Sequence, residues 1–181
     1  NNKEYLMYSL IQKMNKREEK VAESVCQLQF ILNRYERYKE GNTTNTNIVK
    51  IFDRSIFEDR LFAFHNLLDQ PSVFEYYERL WREKVNELVY NVGTPKLYVI
   101  LDILWVLFVK RLYERSRDIE INNFEKNKLY FQLLNQSYSQ YLKNICDAYR
   151  IPYLVVDASK PLTEKMNIIM NKLKTLNIHN S

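Results

Sequence analysis

Apolar residues recur along this chain in two rhythms. Between residues 4 and 40 they fall at steps of three and four. Val21, Val25, Leu28, Leu32 and Tyr35 share one face, which predicts a long helix. Gly41 to Asn47 is polar and predicts a loop. Ile48-Val-Lys-Ile-Phe52 is a short β-branched run of the buried-strand type. Helical spacing resumes near Ile56 and stops at Pro71, and Ser72 is placed to cap a following helix, Val73 to Val89. Asn91 to Pro95 reads as a turn, Lys96 to Ile103 as a second strand, and Trp105 to Arg115 as a basic helix. Ser116 to Asn123 reads as a charged, irregular connection. Leu133, Leu134, Tyr138, Tyr141, Leu142 and Ile145 keep helical spacing within a long helix, Leu129 to Tyr149. Pro152 precedes a third strand, Tyr153 to Val156, and a last helix runs from about Leu162 to Leu176.

Strands separated by helices imply a parallel α/β sheet, here in one domain over residues 1–181. In open sheets of that kind, ligands bind outside the carboxyl ends of the strands. Functional side chains are therefore expected after Phe52, Ile103 and Val156. The residues found there are Asp53-Arg54-Ser55, the basic helix leading to Arg115 and Arg117, and Asp157-Ala158-Ser159.

Composition narrows the function classes. With 46% hydrophobic and 27% charged residues, the chain is neither disordered nor fibrous. Its longest apolar run, Leu97 to Val109, is interrupted by Asp102 and is too short to span a bilayer. No secretory signal pattern opens it. Its 2 glycines, Gly41 and Gly93, stand far apart, so a glycine-rich phosphate cradle is not among these residues. A net charge of +5 suits an anionic small ligand or a nucleic acid, or simply a solvated basic surface. Cys26 and Cys146 have no paired spacing and read as buried thiols in a reducing intracellular compartment, the cytoplasm or a mitochondrial matrix. His65 and His179 lack metal-ligand spacing, which argues against zinc, and no nucleophile lies near them in sequence.

Three constellations can carry chemistry. Asp53-Arg54-Ser55 sets a carboxylate beside a guanidinium, a pairing that can manage a metal ion and a phosphate together, or can end as an ion pair with Ser55 capping the next helix. Asp59 follows one turn after Ser55. Gln27 and Arg34 stand seven apart, on one helix face two turns from each other. They are either exposed or aimed into a pocket, where an amide and a guanidinium can read a nucleobase edge. Arg111 and Arg115 put like charges one helical turn apart, with Arg117 just beyond, which a polyanion would justify and a solvated helix end would also allow. Glu120 can accept a hydrogen bond from a sugar hydroxyl.

Taken together, Gln27-Leu-Gln-Phe-Ile-Leu-Asn-Arg34, Ile51-Phe-Asp-Arg-Ser-Ile-Phe-Glu-Asp-Arg60, Arg111-x-x-x-Arg115-x-Arg117-x-x-Glu120 and Tyr153-Leu-Val-Val-Asp-Ala158 resemble the deoxyribonucleoside kinase family, of the deoxyadenosine/deoxyguanosine/deoxycytidine type. The resemblance implies a P-loop-kinase-like three-layer α/β fold, predominantly helical, and transfer of a phosphoryl group from ATP to the 5′-hydroxyl of a purine deoxynucleoside or deoxycytidine. By position it gives Gln27 the nucleobase, with Arg34 and Asp59 completing its recognition. Asp53 helps order Mg2+, and Arg54 sits between the 5′-hydroxyl and the transferred group. Arg111, Arg115 and Arg117 belong to a lid of about residues 111–123 that closes on ATP, Glu120 contacts the 3′-hydroxyl, and the loop after Asp157 lies near the donor adenine. Expected partners are the deoxynucleoside and ATP, with no nucleic acid, no membrane span, and a homodimer as the usual state. The family's opening strand, P-loop and general-base segment are not in these residues, and the expectation is that several tens of residues precede Asn1. An alternative reading is a catalytically inactive kinase-fold subunit of a larger assembly.

Overall fold

The computed structural model describes residues 16–43 and 49–178. Packing divides the described residues into two compact units, one of residues 16–43 and 52–92, the other of residues 49–51 and 93–178.

The first unit is helical. It comprises α1 (Lys16–Thr43), α2 (Ile56–Asn66) and α3 (Pro71–Asn91), each packed on the other two. Residues 4–15 of the predicted first helix, and 44–47 of the predicted loop, lie outside the described residues. Gly41 to Thr43 are helical and not loop.

Periodicity located α1 but not its inner face. Val21 and Val25 are 61% and 57% exposed, while Cys26, Gln27, Phe30, Ile31, Tyr35 and Tyr38 are buried. Two apolar stripes compete on this helix, and the buried one carries the polar pair that an apolar rule discounts.

The start of α2 is fixed by a capping box: the Ser55 N–H donates to Glu58 Oε1 at 3.2 Å, and the Ser55 side chain answers the Glu58 backbone. Pro71 does not end the structure before a Ser72 cap. It is itself the first residue of α3, where its missing N–H would be unpaired in any case, and Gln70 is the N-cap. Trp81 in α3 donates its indole N–H to the Ile56 carbonyl at 2.7 Å, which ties α3 to the start of α2. Ile31, Ile56, Phe57, Leu67, Tyr77, Val85 and Leu88 are fully buried in this unit.

The segment predicted as the first strand is not one. Ile48 lies outside the described residues, Val49 to Phe52 is irregular, and Ile51 is 89% exposed. A strand exists only through a neighbour's hydrogen bonds. The sheet of the described residues holds two other strands, and neither pairs with this segment.

Those strands, β1 (Tyr98–Asp102) and β2 (Tyr153–Asp157), belong to the second unit and run parallel, in register from Tyr98–Tyr153 to Asp102–Asp157. The crossover between them comprises α4 (Trp105–Glu114), α5 (Asp118–Lys126) and α6 (Lys128–Ala148); α7 (Leu162–Thr175) follows β2. Helix α6 packs on both strands and α7 on β2. Ile100, Val156, Leu142, Cys146 and Phe124 are buried in this unit.

Helix α5 replaces the irregular connection expected at 116–123. Ser116 at φ 51 breaks the chain out of α4, Arg117 is the extended N-cap, and Asp118 and Glu120 stand in the first turn, where negative charge suits the helix dipole. The helix is secured by Phe124, whose ring meets Trp105, Phe108, Tyr113 and Phe131 at centroid distances of 5.7 to 6.3 Å.

Helix α6 ends in a Schellman turn that feeds β2. The Ile151 N–H donates to the Cys146 carbonyl (2.7 Å) and the Arg150 N–H to the Asp147 carbonyl (3.2 Å), with Arg150 left-handed at φ 54. A left-handed backbone costs an L-residue about 1–2 kcal/mol, part of which glycine gives back through its looser unfolded chain. Arg150→Gly is therefore expected to stabilise the protein and raise Tm by about 2 °C, measured by scanning calorimetry. A fall in Tm would refute the strain account.

Candidate functional site

The inward face of α1 sets the site. Gln27 is only 4% exposed, amid Cys26, Phe30 and Ile31, and among the described residues nothing hydrogen-bonds its amide. Two turns on, Arg34 forms an ion pair with Oδ1 of Asp59 in α2; the two side chains are 12% and 2% exposed. Oδ2 of Asp59 is buried with no hydrogen-bond partner. Buried polar groups are normally satisfied, and each orphan costs about 1–3 kcal/mol. An unpartnered amide and an unpartnered carboxylate oxygen, held by the two helices that the ion pair joins, are the groups a polar ligand edge would satisfy.

Above this face lies a small open cleft. Arg34, Arg37 and Tyr38 of α1 line one wall, and Phe52, Asp53, Arg54 and Ser55 the other. Arg54 has a left-handed backbone at φ 69, and its guanidinium stands 5.0 Å over the Phe62 ring and 3.7 Å from the buried Glu58 carboxylate. Asp53 is exposed at the mouth. Tyr38 stacks at a tilt on Phe52 at 5.2 Å, and burial pushes its hydroxyl up to about 12, so it stays a neutral donor or acceptor. Three guanidinium groups and one carboxylate line the cleft, and the Asp59 and Glu58 carboxylates beside Arg34 and Arg54 offset part of that positive charge.

The first unit thus brings together Arg34, Asp53, Arg54 and Asp59, while Gln27 lies buried two turns before Arg34 on the same helix. Asp53 to Ser55 follow an irregular segment and not a strand end, so the capping box, and not sheet geometry, holds them. Sequence reasoning passed over Arg37, Tyr38 and Phe52 as lining and Glu58 as a buried carboxylate. The available signals were the three-residue step from Arg34 to Arg37 and the Ser-x-x-Glu box.

The other candidate group sits in the second unit. Arg117 donates to Glu120 Oε1 at 2.8 Å, and Arg115 stands 3.9 Å from Oε2 of the same residue. Arg111 points elsewhere: its Nη2 donates to the Ala158 carbonyl at 2.8 Å. Asp157 accepts from the Ser159 hydroxyl (2.6 Å) and N–H (2.8 Å), and these bonds hold its carboxyl below the usual carboxylate range, with Lys160 and Arg111 adding to the effect.

Among the described residues no group of three or more His, Cys, Asp or Glu side chains could hold a metal ion by itself. A Mg2+ ion carried by phosphates needs only one or two carboxylates, and Asp53 fits that lesser demand. Cys26 and Cys146 are free and buried as expected, and burial raises the Cys146 thiol to about 11. His179 lies outside the described residues. No helix of the described residues is long and apolar enough to cross a membrane.

Comparison with known proteins gives the family and the fold. A family model described as deoxynucleoside kinase matches residues 1–177. An uncharacterized protein of Mycoplasma genitalium is 46% identical over 170 residues, covering 93% of this chain and 73% of the relative. Its homologue in Mycoplasma pneumoniae is 41% identical over the same shares. Among solved structures, deoxyadenosine kinase from M. mycoides with bound dCTP matches at TM-score 0.67 and 24% identity, over 86% of this chain and 75% of that one. That likeness shows a shared fold, the P-loop-kinase-like α/β fold expected from the sequence.

Two stability measurements probe the site. Asp59→Ala removes the buried carboxylate that faces Arg34, and is expected to cost about 3 kcal/mol in chemical denaturation, with Arg34→Ala, Asp59→Ala together costing less than the sum of the two single changes. Additive losses would show that the pair does not act as a unit. Gly41→Ala ordinarily strengthens a helix by about 1 kcal/mol. Here the new Cβ would come within 2.7 Å of Phe52 Cε1, so this substitution is expected to destabilise and to displace Phe52 from the cleft wall. A gain in Tm would refute that packing.

Proposed function

The chain belongs to the deoxynucleoside kinase family, and from that premise we propose that it transfers a phosphoryl group from ATP to the 5′-hydroxyl of a purine deoxynucleoside or deoxycytidine. The observation that carries the reading is the buried, unpartnered Gln27 amide on the same helix face as the Arg34–Asp59 pair, in the unit that also holds the guanidinium-lined cleft. An amide offers one acceptor and two donors, which suits a base presenting a ring nitrogen beside an exocyclic group. Arg34, neutralised and aimed by Asp59, adds a fixed guanidinium edge, and Asp59 Oδ2 keeps an acceptor for a base amino group.

Phosphoryl transfer asks a protein chiefly for position and for neutralised charge. Arg54 meets that need at the cleft: its backbone is held by the capping box that follows, and its guanidinium lies between the 5′-hydroxyl and the incoming phosphoryl group. Asp53 helps order Mg2+, which when bound neutralises charge on the donor's phosphates. Arg115 and Arg117 are the lid's phosphate-facing cations. Glu120, which pairs with both, takes the 3′-hydroxyl. ATP and Mg2+ are accordingly the cosubstrate and the metal, and the active form is a homodimer.

The M. mycoides neighbour is a deoxyadenosine kinase that holds dCTP, so deoxyadenosine and deoxycytidine are the first substrates to assay, with deoxyguanosine third. The native protein with ATP and Mg2+ is expected to phosphorylate at least one of them. Removal of Mg2+ by chelation should abolish the turnover. Arg54→Ala is expected to lower kcat/KM about 100-fold, the scale of losing one charge-stabilising donor. An unchanged rate would take Arg54 out of the mechanism. No turnover with any of the three nucleosides would leave the inactive-subunit reading.

A further inference from the structure

The arginines at positions 111, 115 and 117 do different work. Arg115 and Arg117 have side chains 63% and 58% exposed and meet at Glu120. Arg111 is half-buried and spends its guanidinium on a backbone carbonyl 47 residues away, that of Ala158. Lys165 of α7 donates to the same carbonyl at 3.2 Å. The Ala158 N–H in turn donates to the Asp102 carbonyl, at the end of β1, at 2.7 Å.

One residue just past β2 is therefore tied to β1, to α4 and to α7. Two cations converging on one carbonyl repel each other unless a negative group stands by. Asp157, folded back onto Ser159, supplies it for Arg111, with which it interacts electrostatically. Asp102 and Asp157 are register partners, so this junction lies at the carboxyl end of both strands, where open parallel sheets receive ligands.

We infer that Arg111 is a positioning residue: by holding the Ala158 carbonyl it sets the loop after β2 as a wall against the base of a bound nucleoside triphosphate, and it is not itself a phosphate ligand. The inference rests on the proposed nucleotide chemistry, but it assigns Arg111 a role different from that of its two neighbours. A planar guanidinium gives a charged, directed hydrogen bond. With it gone, Lys165 alone holds the carbonyl, and from a longer distance.

Two readouts on the full native protein test this, neither of which needs turnover. Hydrogen exchange reports loop order at Ser159 and Lys160. Calorimetric binding of ATP is compared with that of inorganic tripolyphosphate, which lacks the base. Arg111→Gln is expected to speed exchange about tenfold, the factor equivalent to one charged hydrogen bond. It should weaken ATP while leaving tripolyphosphate as in the wild type. Arg111→Lys should restore part of both effects, and it keeps the charge should the glutamine variant fold poorly. Lys165→Met should act in the same direction and less. Arg115→Gln should weaken both anions alike and leave loop exchange unchanged. Equal losses for ATP and tripolyphosphate in Arg111→Gln, or unchanged exchange, would overturn the inference. So would a wild type that binds ATP no better than tripolyphosphate. A wild type that binds ATP and transfers no phosphate would sink the proposed reaction alone, leaving the inference to the exchange and binding ratio.

Discussion

The first unit depends on one buried ion pair. Arg34 and Asp59 are both largely withdrawn from water, and each makes the other's burial tolerable. Replacing such a pair with apolar residues of similar volume is often neutral or stabilising, so stability alone does not explain its presence. What the pair provides is direction. It fixes two helices at one point, aims a guanidinium along the face that carries Gln27, and leaves one carboxylate oxygen without a partner. The cleft above inherits that order, because Arg34 is part of its lining and Asp59 directly follows Glu58, the residue that completes the capping box under Asp53-Arg54-Ser55.

The second unit solves a related problem with neutral acceptors. Its parallel pair ends in two adjacent carboxylates, and the residue after β2 is anchored through its own peptide groups. The aromatic cluster around Phe124 does for the crossover what the ion pair does for the helical unit: it sets short helices that have little intrinsic stability. Of the family's expected lid cations, one is thereby committed to architecture while two stay at the surface.

Much of this was legible in the sequence, for reasons that also explain what was not. The spacing of Leu133 to Ile145 and the runs Tyr98–Asp102 and Tyr153–Asp157 announce local structure, because period and β-branching act over a few residues. Ile48–Phe52 has the same composition as a buried strand, yet its described part, Val49–Phe52, is irregular, since a strand is a relation to a neighbour and not a property of a segment. Helix α5 hid because its charges outnumber the single Phe124 that secures it. At the site, the seven-residue step showed that Gln27 and Arg34 share a face. It did not show that the face points inward, because an apolar count favours Val21 and Val25. The bond from Arg111 to Ala158 joins residues 47 apart and has no local signature at all.

The φ of 69 at Arg54 separates shape from charge at the centre of the cleft. Asparagine and aspartate visit that backbone region more readily than most L-residues. A drift from arginine to asparagine would keep the loop's outline, its cap and the helix behind it, while removing the cation. Two chains can then superimpose closely and still differ in charge at this one bend, so the match of a backbone does not report the cation that the cleft carries.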